Sequence, residues 1–199
     1  MLRLLGRATS GNVQKVIFAL EEMKLSYERE DYGRQFGNTA TAEYAAVNPT
    51  RKVPTLIDDD LAIWESHTIL RYLATKAGNT GLYPAAPGPR TQVERWMDWT
   101  LASLNPVYLA GFRDAKKPLE EHGKTTGSDL AAELQFLDSQ LAGQSFIAGK
   151  AFSLADIALG PLVRRCMAFP FAKPELPALS AWLGRVGERP AFATAVAAG

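Results

Sequence analysis

Residues 79–89, NTGLYPAAPGP, divide this chain into two stretches with different hydrophobic periods. Three prolines and no apolar periodicity mark the segment as a linker, since each proline removes a backbone donor and fixes φ. Before it, short apolar runs alternate with amphipathic segments; after it every pattern is helical. The sequence therefore predicts a mixed α/β domain over residues 1–78, the linker 79–89, and an all-α domain over residues 90–199.

In the first stretch, Leu2–Leu5 is an apolar run ended by Gly6. Val13, Val16, Ile17, Leu20 and Met23 then recur at helical spacing, with Glu21, Glu22 and Lys24 turned away. This reads as strand, turn, helix. LSYERED reads as a second strand, and YGRQFGNTATAEY as a loop entering a short helix. VPTLIDDDLAIWES has two apolar segments around Asp58, Asp59 and Asp60, the pattern of a hairpin, and ESHTILRYLATKAG is a helix ended at Gly78. Beyond the linker, four stripes predict helices and no strand: Val93, Trp96, Met97, Leu101, Leu104; Leu130, Leu134, Leu137, Leu141; Leu154, Ile157, Ala158, Leu162; and Leu179, Trp182, Leu183, Val186.

With 22 basic against 21 acidic residues, the chain has no electrostatic footprint for nucleic acid or an anionic membrane. Small neutral or anionic partners stay open. MLRLLGRATSG is too short in its apolar run for a signal peptide, and no later run approaches the roughly 20 apolar residues that span a bilayer. A soluble, cytoplasmic protein is expected. A single cysteine, Cys166, excludes an internal disulfide, and the two histidines, His67 and His122, have no metal-ligand spacing, so no metal is expected. Cys166 reads as a core residue rather than a nucleophile.

Three short stretches carry the chemistry. In GRATSGNVQKV, the hydroxyls of Thr9 and Ser10 and the amide of Asn12 stand where a strand gives way to a helix, a place suited to an anion. In NPTRKVPTL, Pro54 opens a hairpin strand. It is either an ordinary edge-strand proline or, as a cis isomer, a residue that leaves the Val53 backbone to pair with an extended peptide-like ligand. In WES, Glu65 and Ser66 stand at a helix start, where serine caps free amides and a ligand carboxylate would be welcome.

Taken in this order and spacing, the hydroxyl-bearing turn, NP-x-x-x-VP, ES at a helix start and a helical second half resemble the cytosolic glutathione transferases, of the serine type (theta-like or a related bacterial class). The resemblance covers nearly the whole chain and extends to SLADIAL, which is similar to the family's capping-box and buried-aspartate motif, and to ERPAF near the end. It implies a thioredoxin-like N-terminal domain with a cis bond before Pro54, a helical C-terminal domain, glutathione as co-substrate and a homodimer. Carried over residue by residue, Lys52 contacts the glycine end of glutathione, Val53 pairs with its cysteinyl unit beside Pro54, and Glu65 with Ser66 hold the γ-glutamyl end. In that setting the turn donates a hydrogen bond to the glutathione sulfur and so favours the thiolate. Ser10 is the expected donor, with Thr9 as rival and Asn12 as a second donor.

The second substrate, a hydrophobic electrophile, is expected between the domains. There Tyr108 and Phe112, four residues apart on one helix face, form an aromatic wall or else ordinary core, and Arg113, Arg164 or Arg165 add a positive contact or face solvent. No tyrosine or cysteine lies in the turn, which excludes a tyrosine donor and argues against the cysteine-type thioltransferases. Arg51 stands where the family often has glycine. The alternatives to a transferase are a glutathione-dependent peroxidase or disulfide reductase of the same fold, and a non-catalytic protein that binds glutathione or other ligands.

Overall fold

A computed structural model describes residues 1–198. The chain falls into two compact units, one made of Met1–Tyr83 and the tail from Arg189, the other of Pro84–Glu188. The first unit begins β1 (Leu2–Leu5), α1 (Gly11–Glu22), β2 (Tyr27–Glu30), α2 (Ala42–Val47), β3 (Thr55–Asp58), β4 (Leu61–Trp64), α3 (Ser66–Lys76). The strands form one sheet in the order β2-β1-β3-β4, with β1 parallel to β2 and antiparallel to β3, and β3 antiparallel to β4. A helix crossover makes the parallel pair, and a two-residue turn at Asp59 and Asp60 makes the hairpin. This is the thioredoxin-like module expected from the sequence.

Strand register decides where the functional segments emerge. Leu5 lies opposite Glu30 of β2 and Thr55 of β3, and Thr55 lies opposite Trp64 of β4. The residues that follow β1, precede β3 and follow β4 therefore leave the sheet at the same end. All three stretches singled out in the sequence are among them.

The second unit is helical: α4 (Pro87–Trp99), a π-type segment Thr100–Leu104, α5 (Asn105–Asp114), α6 (Thr126–Leu141), α7 (Leu154–Ala168) and α8 (Pro177–Gly187). Two details depart from the sequence reading. Helix α4 starts inside the expected linker, with Pro87 and Pro89 in its first turn, where a missing N–H breaks no helical bond. Leu101, expected in the buried stripe, is exposed because the wider π turn adds a residue and shifts the helical phase, while Leu104 stays buried. The other stripes are internal, apart from a half-buried Leu183.

The helical domain was expected to run to residue 199, yet its last helix, α9 (Pro190–Val196), belongs to the first unit. It lies along α1. Phe192 meets Phe18 edge to face at 5.3 Å, and the Arg189 guanidinium pairs with the Glu22 carboxylate at the end of α1. With α3 also packed against it, α1 is buried along the whole run Val13–Leu20, including the polar Gln14 and Lys15.

Candidate active site

The turn after β1 is short because Gly6 lets α1 close against it: a Cβ at Gly6 would stand 2.5 Å from a methyl of Val13 and 3.4 Å from the Val53 Cβ. Ser10 is the N-cap residue of α1, with extended backbone and its carbonyl accepting from Gln14 N–H at 2.9 Å. The Gln14 side-chain amide in turn donates to Ala8 O at 3.0 Å, which ties the turn to the helix. Although it occupies the capping position, the Ser10 hydroxyl makes no capping hydrogen bond. Ser10 is nearly buried and α1 has no acidic residue in its first turn, so the hydroxyl and the first free amides stand ready for an anion. Thr9 is exposed, whereas the Oδ1 of half-buried Asn12 is enclosed without a hydrogen-bond partner.

The loop before β3 is built around the Lys52 carbonyl, which accepts from Tyr44 Oη at 2.7 Å and Asn48 Nδ2 at 2.8 Å. The same two side chains meet Thr55 Oγ1 at 2.8 and 2.9 Å, and Asn48 Oδ1 accepts from the Thr50 N–H and hydroxyl. Since Tyr44 donates to Lys52 and Asn48 donates to Thr55, the Thr55 hydroxyl donates to Tyr44, and every proton in the cluster is used. This cluster presents Val53. Its bond to Pro54 is cis, as the resemblance implied, and among the described residues its N–H and C=O make no hydrogen bond. Arg51 adopts φ 55°, a left-handed conformation that explains why glycine suits this position, and its side chain is exposed beside exposed Lys52. Replacing Asn48 with alanine is expected to cost about 2–3 kcal/mol by orphaning the buried polar groups around it. A thermal scan should show Tm lowered by roughly 4–12 °C, and an unchanged Tm contradicts the role.

At the start of α3 the sequence reading needs one correction. The N-cap is Glu65, held at φ 68°, and Ser66 is the first helical residue, so Ser66 does not cap. Its N–H is instead one of the orphan amides of a helix start, with its hydroxyl beside it; Ser66 is 3% exposed while Glu65 is exposed, and no acidic residue follows in the first turn. The segment thus offers a buried donor site for an anion next to an exposed carboxylate for a cation.

In the helical unit, Tyr108 of α5 is buried and stacked on Phe169 at 5.9 Å. Phe112 stands 6.0 Å from it with Lys116 Nζ 4.4 Å over its own ring, and Arg113 is exposed. Arg164 and Arg165 are half-buried on α7. Cys166 has no exposed surface, and burial pushes its thiol up to about 12, so it is inert at neutral pH. Among the described residues no cluster could hold a metal ion, and no helix is long and apolar enough to cross a membrane.

Sequence reasoning passed over Tyr44 and Asn48, which build the loop before β3, and the buried pair Lys15 and His67. Asn48 in NP and the aromatic Tyr44 three residues after Thr41, which caps α2, were visible only as turn and helix residues. Lys15 looks like a solvated helix lysine until its contact with His67 of α3 is known.

Residues 2–75 match the family model of the glutathione S-transferase N-terminal domain, and residues 104–190 that of the C-terminal domain. Glutathione S-transferase GstB of Escherichia coli (strain K12) is 36% identical over 200 residues, covering 96% of this chain and 95% of that protein. Glutathione S-transferase F10 of Arabidopsis thaliana is 30% identical, over 90% of this chain and 89% of that one. The crystal structure of the theta class glutathione S-transferase from Xanthomonas axonopodis pv. citri with glutathione bound superposes with a TM-score of 0.91 at 35% identity, across 100% of this chain and 98% of that one. With both domain models matched and relatives aligned over nearly their full lengths, this chain belongs to the glutathione S-transferase family.

Proposed function

We propose that this chain is a serine-type glutathione transferase: it binds glutathione along the end of its sheet and activates the thiol for attack on a hydrophobic electrophile. The observation that carries the reading is Val53, whose unpaired backbone N–H and C=O lie between a turn with an unused serine hydroxyl and a helix start with an unused serine. Glutathione is an extended peptide with two carboxylates and one ammonium. It needs a strand edge, a cation, a helix start and an anion. Val53, Lys52, Ser66 and Glu65 meet those needs in turn, and Ser10 donates to the sulfur.

The aromatic side of α5, with Tyr108 and Phe112 and with Arg113 at its end, is the part of the helical unit assigned to the electrophile. A homodimer in the cytoplasm is part of the same reading, supported by family membership.

Calorimetric titration with glutathione tests the site. The wild-type protein should bind, and Ser66→Ala should weaken binding about tenfold, the effect of losing one charge-assisted hydrogen bond of about 1.4 kcal/mol. Absence of wild-type binding, or equal binding by Ser66→Ala, would overturn the assignment.

A further inference from the structure

Lys15 is the fifth residue of α1 and has no exposed surface. Its Nζ lies 3.0 Å from Nε2 of His67, which is 1% exposed. Lysine is almost never fully buried unless paired, and here the partner is an imidazole. A charged ammonium only donates, so Nε2 accepts and His67 keeps its ring proton on Nδ1. When protonated, the pair shares one positive charge between two groups.

The placement of this charge links the two helix starts of the site. Lys15 rides on the helix that begins at Ser10, and His67 directly follows Ser66. The helices pack against each other, and the Lys15–His67 contact lies within that packing. We propose that Lys15 and His67 form a positioning pair whose buried charge helps hold the γ-glutamyl carboxylate at Ser66, so that the pair takes up a proton as the ligand binds. This rests on the assignment of Glu65 and Ser66 to the γ-glutamyl end.

The sign follows from exposure. The γ-glutamyl end brings one anion and one cation. The ammonium goes to Glu65, the exposed carboxylate that already favours protonated Lys15, and offsets part of that effect, while the carboxylate goes to buried Ser66, one residue from His67, where screening is weak and its effect the larger. Lys15 therefore feels the ligand mainly as an anion. Of the elements packed against α1, α9 with its N-cap brings only Arg189, paired with Glu22, and α3 with its N-cap brings Glu65, His67, Arg71, Tyr72 and Lys76. Burial pushes Lys15 down to about 7, and Glu65 is the charge that favours its protonated form. The group thus titrates where a ligand charge can tip it. By linkage, a ligand that favours the charged pair binds more tightly as pH falls and less tightly as pH rises.

The test uses S-methylglutathione, which has no thiol proton to lose, titrated into the whole protein in two buffers of widely different ionisation heat. If binding raises the pair's titration midpoint by about one unit, uptake at pH 7 is about 0.4 proton and affinity weakens about fivefold from pH 6 to pH 8. Lys15→Met should abolish the uptake, weaken binding about tenfold at pH 6 and flatten the pH profile; Lys15→Arg, which does not titrate, should also abolish uptake but keep the affinity. Binding without proton uptake, or uptake retained in Lys15→Met, would overturn this inference while leaving the glutathione site intact. No binding of either glutathione or S-methylglutathione would overturn the site itself and this inference with it. Should the variants not fold, Nε2 of His67 in the wild-type protein senses whether Lys15 donates to it: the pH midpoint of that response in nitrogen NMR should move upward on adding S-methylglutathione, and an unmoved midpoint overturns the inference.

Discussion

Ser10→Ala should raise the pKa of protein-bound glutathione thiol by about two units, toward the ~8.5 of a free thiol. Two units correspond to about 2.7 kcal/mol, which lies within the range for a hydrogen bond to a charged group. The hydroxyl can supply it because it is nearly buried and spends none of its bonding capacity on the cap of α1. At pH 6.5 the thiolate fraction would fall roughly fiftyfold, but a thiolate of higher pKa is a better nucleophile, so the net loss in kcat/KM is closer to tenfold. On the same figures the gap closes at about pH 7.5, and above it the variant, whose thiolate is the better nucleophile, should be the faster. Ultraviolet absorbance of the bound thiolate across pH gives the pKa, and conjugation of a chlorinated aromatic gives the rate. An unchanged thiolate titration in Ser10→Ala would remove Ser10 from the role, and parallel titrations of Thr9→Ala and Asn12→Ala would then identify the donor. Asn12, half-buried at the turn and able to donate through Nδ2, has the stronger claim of the two, since Thr9 is exposed.

Asp156→Ala should be the most damaging single change to stability. The carboxylate accepts from Ile147 N–H at 3.0 Å and Trp182 Nε1 at 2.8 Å on one oxygen, and from Ser153 N–H at 3.0 Å and the Ser153 hydroxyl at 3.1 Å on the other. It therefore joins the start of α7, the segment before it and α8 at a point with no solvent exposure. Alanine leaves these donors buried and unmatched. At about 1–3 kcal/mol for each orphaned group, with partial relaxation, the loss is about 4–6 kcal/mol, most of the margin of a typical domain. Urea unfolding followed by tryptophan fluorescence should show the midpoint greatly lowered or no folded baseline. A wild-type midpoint would refute the account.

How much could be read from the residues depends on range. The strand-turn-helix start, the hairpin around Asp58–Asp60 and the helical stripes depend on neighbours a few positions apart, and the structure has them where the periodicity put them. Features set by distant contacts were harder. Leu101 leaves its stripe because a π segment resets the phase, which a 3.6-residue period does not encode. Ser66 looked like a cap because serine favours that position, but the chain turns at Glu65 with φ 68°, one residue earlier. The candidate site was legible as three separate stretches. Their meeting at one sheet end comes from the pairing of Leu5 with Thr55 and of Thr55 with Trp64, a register that no local pattern states.

The return of α9 to the first unit reverses the usual order of maturation during synthesis. The helical unit, Pro84–Glu188, is one continuous stretch and has all its residues before the last helix is made. The sheet-bearing unit, although it leaves the ribosome first, exposes the Phe18 side of α1 until Phe192 arrives to cover it. Its core is thus completed only after the helical unit has been made, by α9, and a chain stopped before Arg189 carries an uncovered apolar surface that invites chaperones or aggregation.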